Sequence, residues 1–264
     1  MFSLVNTAYA AEEASGGGIS VHLAPYVLGE FLGVPITATL VTVWLTMLML
    51  VVLAYFVGKN LKMLPGKFQS VFEMLVGGAY DYVADVFESK KMATKYFPII
   101  MTIFIFILAM NWVGLLPGVT SIGFWEGHGD QRHLIPLLYP AATDLNITIA
   151  FAIVAFITIE VAGVLAIGIW KYGGKFINFK SPLAFVIGII ELMSELARLI
   201  SFSFRLFGNI FAGKTLLLVV MFLATPYILP VPLIAYELFV GFIQAFIFAI
   251  LTLYFIKLAI EEPH

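Results

Sequence analysis

Ser201-Phe-Ser-Phe-Arg205-Leu-Phe-Gly-Asn-Ile-Phe-Ala-Gly213 lies deep inside an apolar run from Pro182 to Thr225. A guanidinium cannot shed its charge by losing a proton, because its pKa lies above about 12. Holding one at mid-membrane costs at least ~2.5–3.5 kcal/mol on insertion scales. A chain keeps such a residue where the charge faces a partner or a water-filled path. Arg205 is therefore the first candidate functional residue.

The rest of the chain says that the run is membrane-embedded. Of 264 residues 62% are hydrophobic and 11% charged, and the mean hydropathy is +1.04. These values lie outside the range of soluble domains. The expected organisation is an extramembrane leader over residues 1–34 and one membrane domain over 35–264, with an all-α polytopic fold. Cysteine is absent, which removes disulfide, thiolate and Cys-based metal chemistry. Met1–Ala11 ends in Ala-Tyr-Ala-Ala, a small-residue cleavage pattern, but lacks the positive n-region and apolar length of a signal peptide. Glu12–Gly18 reads as a flexible leader.

Stretches of ~20 apolar residues predict membrane crossings at Ile36–Val57, Phe97–Leu116, Leu145–Trp170, Pro182–Thr225 and Leu233–Ile256. Phe68–Glu88 mixes apolar residues with Glu73, Asp81 and Asp85, and predicts an amphipathic helix at the interface. Lys59, Lys62, Lys67, Lys90, Lys91, Lys95, Lys171, Lys175, Lys180 and Lys257 fall in one set of loops and ends, against Arg132 alone in the alternate set. By the positive-inside rule the N-terminus is outside and the C-terminus cytoplasmic. The fourth segment, 44 residues, would extend ~66 Å as a helix, twice the ~30 Å hydrocarbon thickness. It must tilt, bend or start at the interface. Thr225–Pro232 holds three prolines and cannot continue a helix, so the last two segments are expected to form a long antiparallel hairpin.

Glu191, Ser194, Arg198, Ser201, Arg205, Gly208 and Ala212 recur at alternating spacings of three and four. A seven-residue repeat keeps one stripe toward a neighbour, and small residues in it let another helix approach closely. Asn209 borders the same face. Glu191 and Glu195 lie ten or more residues from Arg205, so its missing counter-ion is expected on another chain. Lys214 lies nine residues after Arg205, ~180° around the helix, and faces the rest of the subunit. Glu237, Gly241 and Gln244 share a face of the last segment. Glu237 and Lys214 either form a structural salt bridge or relay protons.

Three patterns are set aside. Gly208-Asn-Ile-Phe-Ala-Gly213-Lys214-Thr215 fits the phosphate-binding G-x-x-x-x-G-K-[ST] pattern. Its flanks are membrane helix rather than strand and loop, so no nucleotide site is expected. His128, Asp130 and His133 read as solvated loop residues, not a metal site. Neither a cofactor nor nucleic-acid binding is expected. Asn146-Ile-Thr148 fits a glycosylation sequon but adjoins a crossing.

Taken together these residues resemble subunit a of the F-type ATP synthase. The resemblance rests on Arg205–Gly213, Asn111-Trp-Val-Gly-Leu-Leu-Pro-Gly118, Thr143-Asp-Leu-Asn146 and Gln244-Ala-Phe-Ile-Phe248, and on the spacing of Glu191, Ser194, Arg198 and Ser201. It covers the chain from Pro35 onward. It implies a non-catalytic stator with two offset half-channels serving carboxylates on a rotating ring of c subunits. Peripheral-stalk b subunits and the bilayer would be the other partners, and a bacterial inner membrane the location. In that picture Arg205 favours the ionised carboxylate and separates the half-channels. Asn209 and Gln244 support it, Glu191 and Ser194 line the inner path, and Lys214 and Glu237 stand at outer positions. Lys214 departs from the family, where Glu or His is usual. The same features leave a stand-alone secondary transporter or a membrane scaffold as alternatives. The first lacks the internal repeats such folds show, and the second leaves Arg205 without a role.

Overall fold

Apolar periodicity becomes seven helices among the described residues of the computed structural model, which are 25–31, 33–59, 62, 66–116, 118–126, 133–176, 181–223 and 230–261. A two-stranded antiparallel ribbon, β1 (Val27–Phe31) and β2 (Val34–Thr37), leads into α1 (Ala38–Lys59). Helices α2 (Lys67–Phe87) and α3 (Lys90–Val113) follow, then a second antiparallel ribbon, β3 (Gly123–Glu126) and β4 (His133–Pro136). The chain continues through α4 (Leu145–Ile167), α5 (Ile169–Phe176), α6 (Pro182–Leu223) and α7 (Pro230–Ile260). By length and composition α1, α3, α4 and α7 can cross a membrane. The 42-residue α6 differs in carrying Glu191, Glu195, Arg198, Arg205 and Lys214 along its length.

The sequence reading needs several corrections. The helical fold stands, joined by two short two-stranded ribbons that the apolar runs do not announce. The second expected crossing, α3, starts at Lys90, well before the apolar run at Phe97, because Ser89 caps it by accepting from Met92 N. Its first turns are also packed: Tyr96 lies 5.6 Å from Phe87, and Phe97 5.4 Å from Tyr80. The helix ends at Val113 rather than Leu116. The third apolar run is not continuous to Trp170. Gly168 adopts a φ of 92°, which disfavours residues with a Cβ, and ends α4 before the short α5 begins. The last helix starts at Pro230, where a missing N–H costs nothing in a first turn. The Ala8–Ala11 pattern, the 12–18 leader, His22, His128, Asp130, His264 and the 224–229 connection lie outside the described residues.

Cross-contacts separate two ends of the bundle. At one end Thr39 of α1 donates to Asp144 before α4, at 2.8 Å, and Tyr139 N donates to Thr42. Trp112 at the close of α3 donates to Leu238 O of α7. At the other end Lys257 of α7 reaches Glu88, and Tyr82 of α2 lies 3.4 Å from the Tyr254 hydroxyl. Helices α6 and α7 run antiparallel: Phe202 stacks on Phe248 at 4.6 Å and Asn209 bonds Gln244.

Close packing comes from small residues. Ala152, Ala155, Ile159 and Ala162 form the buried face of α4, and its neighbours there are α6 and α7. Within lipid, apolar burial brings little hydrophobic gain, so dispersion and polar contacts carry the association. Lipid also accommodates the exposed Trp44, Leu48, Val51 and Tyr55 of α1. Only 11% of the most apolar stretch of α1 is buried, against 44% for α7. Thus α7 is central and α1 peripheral.

Candidate functional site

Midway along α6 the backbone is tied into the core by Phe202 and Leu206, both fully buried, with Phe202 against Phe248 and Phe255 of α7. Arg205 lies between them in sequence but points to another side and is partly exposed. Its Nη2 donates to Ser201 Oγ at 3.2 Å, one turn back. Its Nη1 is buried with no hydrogen-bond partner. Arg205 has no ion pair among the described residues. A guanidinium has five N–H donors, so a single serine leaves most of its capacity unused.

One turn further on, Asn209 Nδ2 donates to Gln244 Oε1 at 2.6 Å. Gln244 is 1% exposed and its Nε2 has no partner. Beside it Asn111 donates to Gly241 O at 3.1 Å, which joins α3 to α7 next to the Asn209–Gln244 contact. Asn209 and Gln244 are therefore joined one helical turn from Arg205, and Arg205 and Gln244 each keep an unused donor.

The stripe itself divides. Ser194, Ser201 and Ala212 are exposed, and Gly208 is half-buried. Ser194 donates to Ile190 O within its own helix. Arg198 instead turns inward. It donates to Glu195 at 2.6 Å and lies 3.8 Å over the Phe255 ring of α7. Glu191 pairs with Lys175 of α5 at 2.6 Å.

Lys214 faces the rest of the subunit, as its angular position predicts. Its Nζ is buried without a hydrogen-bond partner, 3.1 Å from the centroid of the Tyr139 ring. Lys214 and Glu237 form no salt bridge; the ammonium rests on the aromatic face instead, a cation–π contact. Burial, with Tyr26 close by, pushes the Tyr139 phenol up to about 12, so the ring keeps its proton. Glu237 packs against Gly213, where any Cβ would lie 3.0 Å from its Oε1.

Glu160, Tyr172 and Tyr139 carry no role in the sequence pattern, and Glu195 enters it only by its distance from Arg205; the fold sets Glu160, Tyr172 and Glu195 near Arg198 and Tyr139 against Lys214. The signal for Glu160 was present, since it is the single charge in α4, as anomalous in an apolar run as Arg205. Tyr139 offered no signal, because its role depends on which helix the loop crosses.

A family model described as ATP synthase A chain matches residues 40–257. The chain belongs to this family, subunit a of the F-type ATP synthase. ATP synthase subunit a 3 of Pelobacter propionicus is 32% identical over 245 residues, spanning 92% of this chain and 94% of that protein. The subunit a of Desulfotalea psychrophila is 34% identical, over 84% of this chain and 83% of its own. That of Moorella thermoacetica is 30% identical, over 89% and 96%. Family membership and the long apolar helices make this an integral membrane protein of the ATP synthase membrane sector.

Proposed function

We propose that this chain is the proton-translocating stator of the membrane sector, and that Arg205 divides two offset half-channels. One observation carries the reading: Arg205 has a buried Nη1 without a partner and a partly exposed side chain. Such a residue is poised to receive a carboxylate from outside the subunit. A c-ring carboxylate meets that requirement. It is held ionised as it passes, and the fixed positive charge stops protons leaking straight between the half-channels.

Asn209 and Gln244 support the arginine from the α7 side. Glu191 and Ser194 border the inner path, while Lys214 and Glu237 stand on the outer path. Ser201, Gly208 and Ala212 give the ring helices a small-residue surface to slide along, with Arg198 anchoring the stripe from within. The peripheral-stalk b subunits and lipid cover the remaining apolar surface. Alternation of the two bundle ends supports five crossings by α1, α3, α4, α6 and α7. In this arrangement α2 lies at the interface, and α6 and α7 form the long hairpin. The membrane domain runs from residue 35, with the leader outside, the C-terminus in the cytoplasm, and a bacterial inner membrane as the location. The chain itself catalyses no covalent chemistry.

Arg205→Ala in the assembled complex tests the reading. ATP synthesis driven by a proton gradient is lost, while membrane vesicles leak protons passively. Arg205→Lys also fails, because lysine lacks the planar fork and sheds its proton in an apolar site. Near-normal synthesis by Arg205→Ala would overturn the proposal. Reporters fused after Lys175 and at the C-terminus read cytoplasmic, and one in the 126–133 loop reads outside; an even number of crossings breaks the topology.

A further inference from the structure

Four elements converge around Arg198, below Arg205. Helix α4 brings Glu160, α5 brings Tyr172 and Lys175, α6 brings Glu191, Glu195 and Arg198, and α7 brings the Phe255 ring. Lys175 is matched to Glu191 and Arg198 to Glu195, each at 2.6 Å. Glu160 has no ion pair among the described residues, and its Oε1 is buried without a hydrogen-bond partner. The Tyr172 hydroxyl is buried beside it, close enough for the two groups to interact, though no hydrogen bond of regular geometry joins them. Its ring is held beside Glu160 because Gly163, one turn along α4, leaves room that any Cβ would fill. Glu195, 3% exposed, lies within electrostatic reach of Glu160, Lys175 and Glu191 as well as Arg198.

The charge count sets this cluster apart from an ordinary structural network. Among these described residues, Lys175 and Arg198 face Glu160, Glu191 and Glu195, so one bound proton balances these five. Leaving a carboxylate unpaired inside protein is costly, whereas a site that alternately gains and loses a proton requires that imbalance. Position points the same way. Glu195 is one turn deeper than Glu191, and ten residues, ~15 Å of helix, before Arg205.

We propose that Glu160, with Glu195 and Arg198 beside it, is a proton-relay site on the inner path between Arg205 and the Lys175–Glu191 surface. The inference rests on the proton-translocating function proposed above and adds a residue of α4 to it. A proton leaving the Arg205 side, delivered by water, adds to a Glu160 carboxylate oxygen and forms the neutral acid. Loss of that proton toward Glu191 and the inner solution restores the carboxylate, and no other bond changes. Arg198, held by Glu195 and Phe255, limits the cluster to one proton by stabilising the ionised state of the next.

Glu160→Gln keeps the size and polarity of the side chain but cannot exchange a proton in this way. In the assembled complex in membrane vesicles, ATP-driven proton pumping falls about tenfold. That is below the 10²–10⁴ of a positioned acid–base group, because water carries part of the flux. Pumping loses much of its dependence on the inner-side pH and keeps its dependence on the outer-side pH, while Glu160→Asp retains flux with a shifted inner profile. Unchanged pumping and an unchanged inner profile in Glu160→Gln overturn the inference. So does a loss confined to complex assembly that Glu160→Leu repairs. If Glu160→Gln does not assemble, Glu160→Asp decides: a shifted inner profile supports the relay and an unshifted one overturns it. Arg205→Ala in the same vesicles separates the two levels, since coupled synthesis by that variant would overturn the proposed function itself.

Discussion

Arg198 and Arg205 stand seven residues apart on one helix and carry the same charge, yet the fold treats them differently. Arg198 has a carboxylate at 2.6 Å and an aromatic ring at 3.8 Å, both from its own subunit. Arg205 has one serine at 3.2 Å and a buried nitrogen with no partner. Within a single chain, Arg198 is finished and Arg205 is not. Composition and spacing make the two look alike; the difference lies in what the other helices bring to each. A charge satisfied internally reports on stability, and one left open reports on an encounter with something else.

The largest test of that contrast exchanges the two losses. Arg205→Ala abolishes synthesis with little loss of assembled complex, whereas Arg198→Ala lowers the thermal stability of the complex and slows proton flow through the inner path without abolishing synthesis. Removing one partner of a buried pair costs about 3–5 kcal/mol, and a double change of Arg198→Ala with Glu195→Gln recovers part of it. Thermal unfolding of the purified complexes, set beside synthesis rates, checks both. If Arg198→Ala uncouples the enzyme as fully as Arg205→Ala, the contrast breaks.

A smaller effect sharpens the open side. Asn209→Ala and Gln244→Ala each remove the 2.6 Å bond beside Arg205, and the double variant is expected to lose about 1 kcal/mol less than the sum of the singles, one net hydrogen bond. Additive losses would mean that the contact contributes nothing. An effect of similar size belongs to Lys214. Tyr139→Leu removes the aromatic face under its ammonium, worth about 0.5–2 kcal/mol, and leaves the lysine buried without it. Lys214→Met should therefore soften the penalty of Tyr139→Leu in a stability cycle. A stronger coupling of Lys214 to Glu237 than to Tyr139 would restore the salt-bridge reading that the geometry disfavours.

How much of this was legible depended on range. Helices α1, α3, α4, α6 and α7 follow from apolar runs of sufficient length, and Arg205 from the cost of its charge within one of them. Gly168 escaped notice because hydropathy is blind to backbone sign: a positive φ interrupts the helix while the apolar run continues. Ser89 was hidden by the lysines that follow it. The stripe was legible as a stripe, but an α-helix drifts ~20° per heptad against a strict seven-residue repeat. Over the three heptads from Glu191 to Ala212 its ends turn toward different neighbours. The cluster around Glu160 draws on four helices, and no local pattern announces it.

The length of α6 has a mechanical side. One unbroken rod of 42 residues is clamped near its start by the Lys175–Glu191 pair, at its middle by the Phe202 stack and Asn209, and toward its far end by Lys214 against Tyr139. Arg205 sits next to the middle clamp. A partner sweeping past would push sideways on a beam where it bends least, so the load passes into α7 and the loop at Tyr139 instead of displacing the charge. Stiffness at that point keeps the guanidinium at one height while its visitors change.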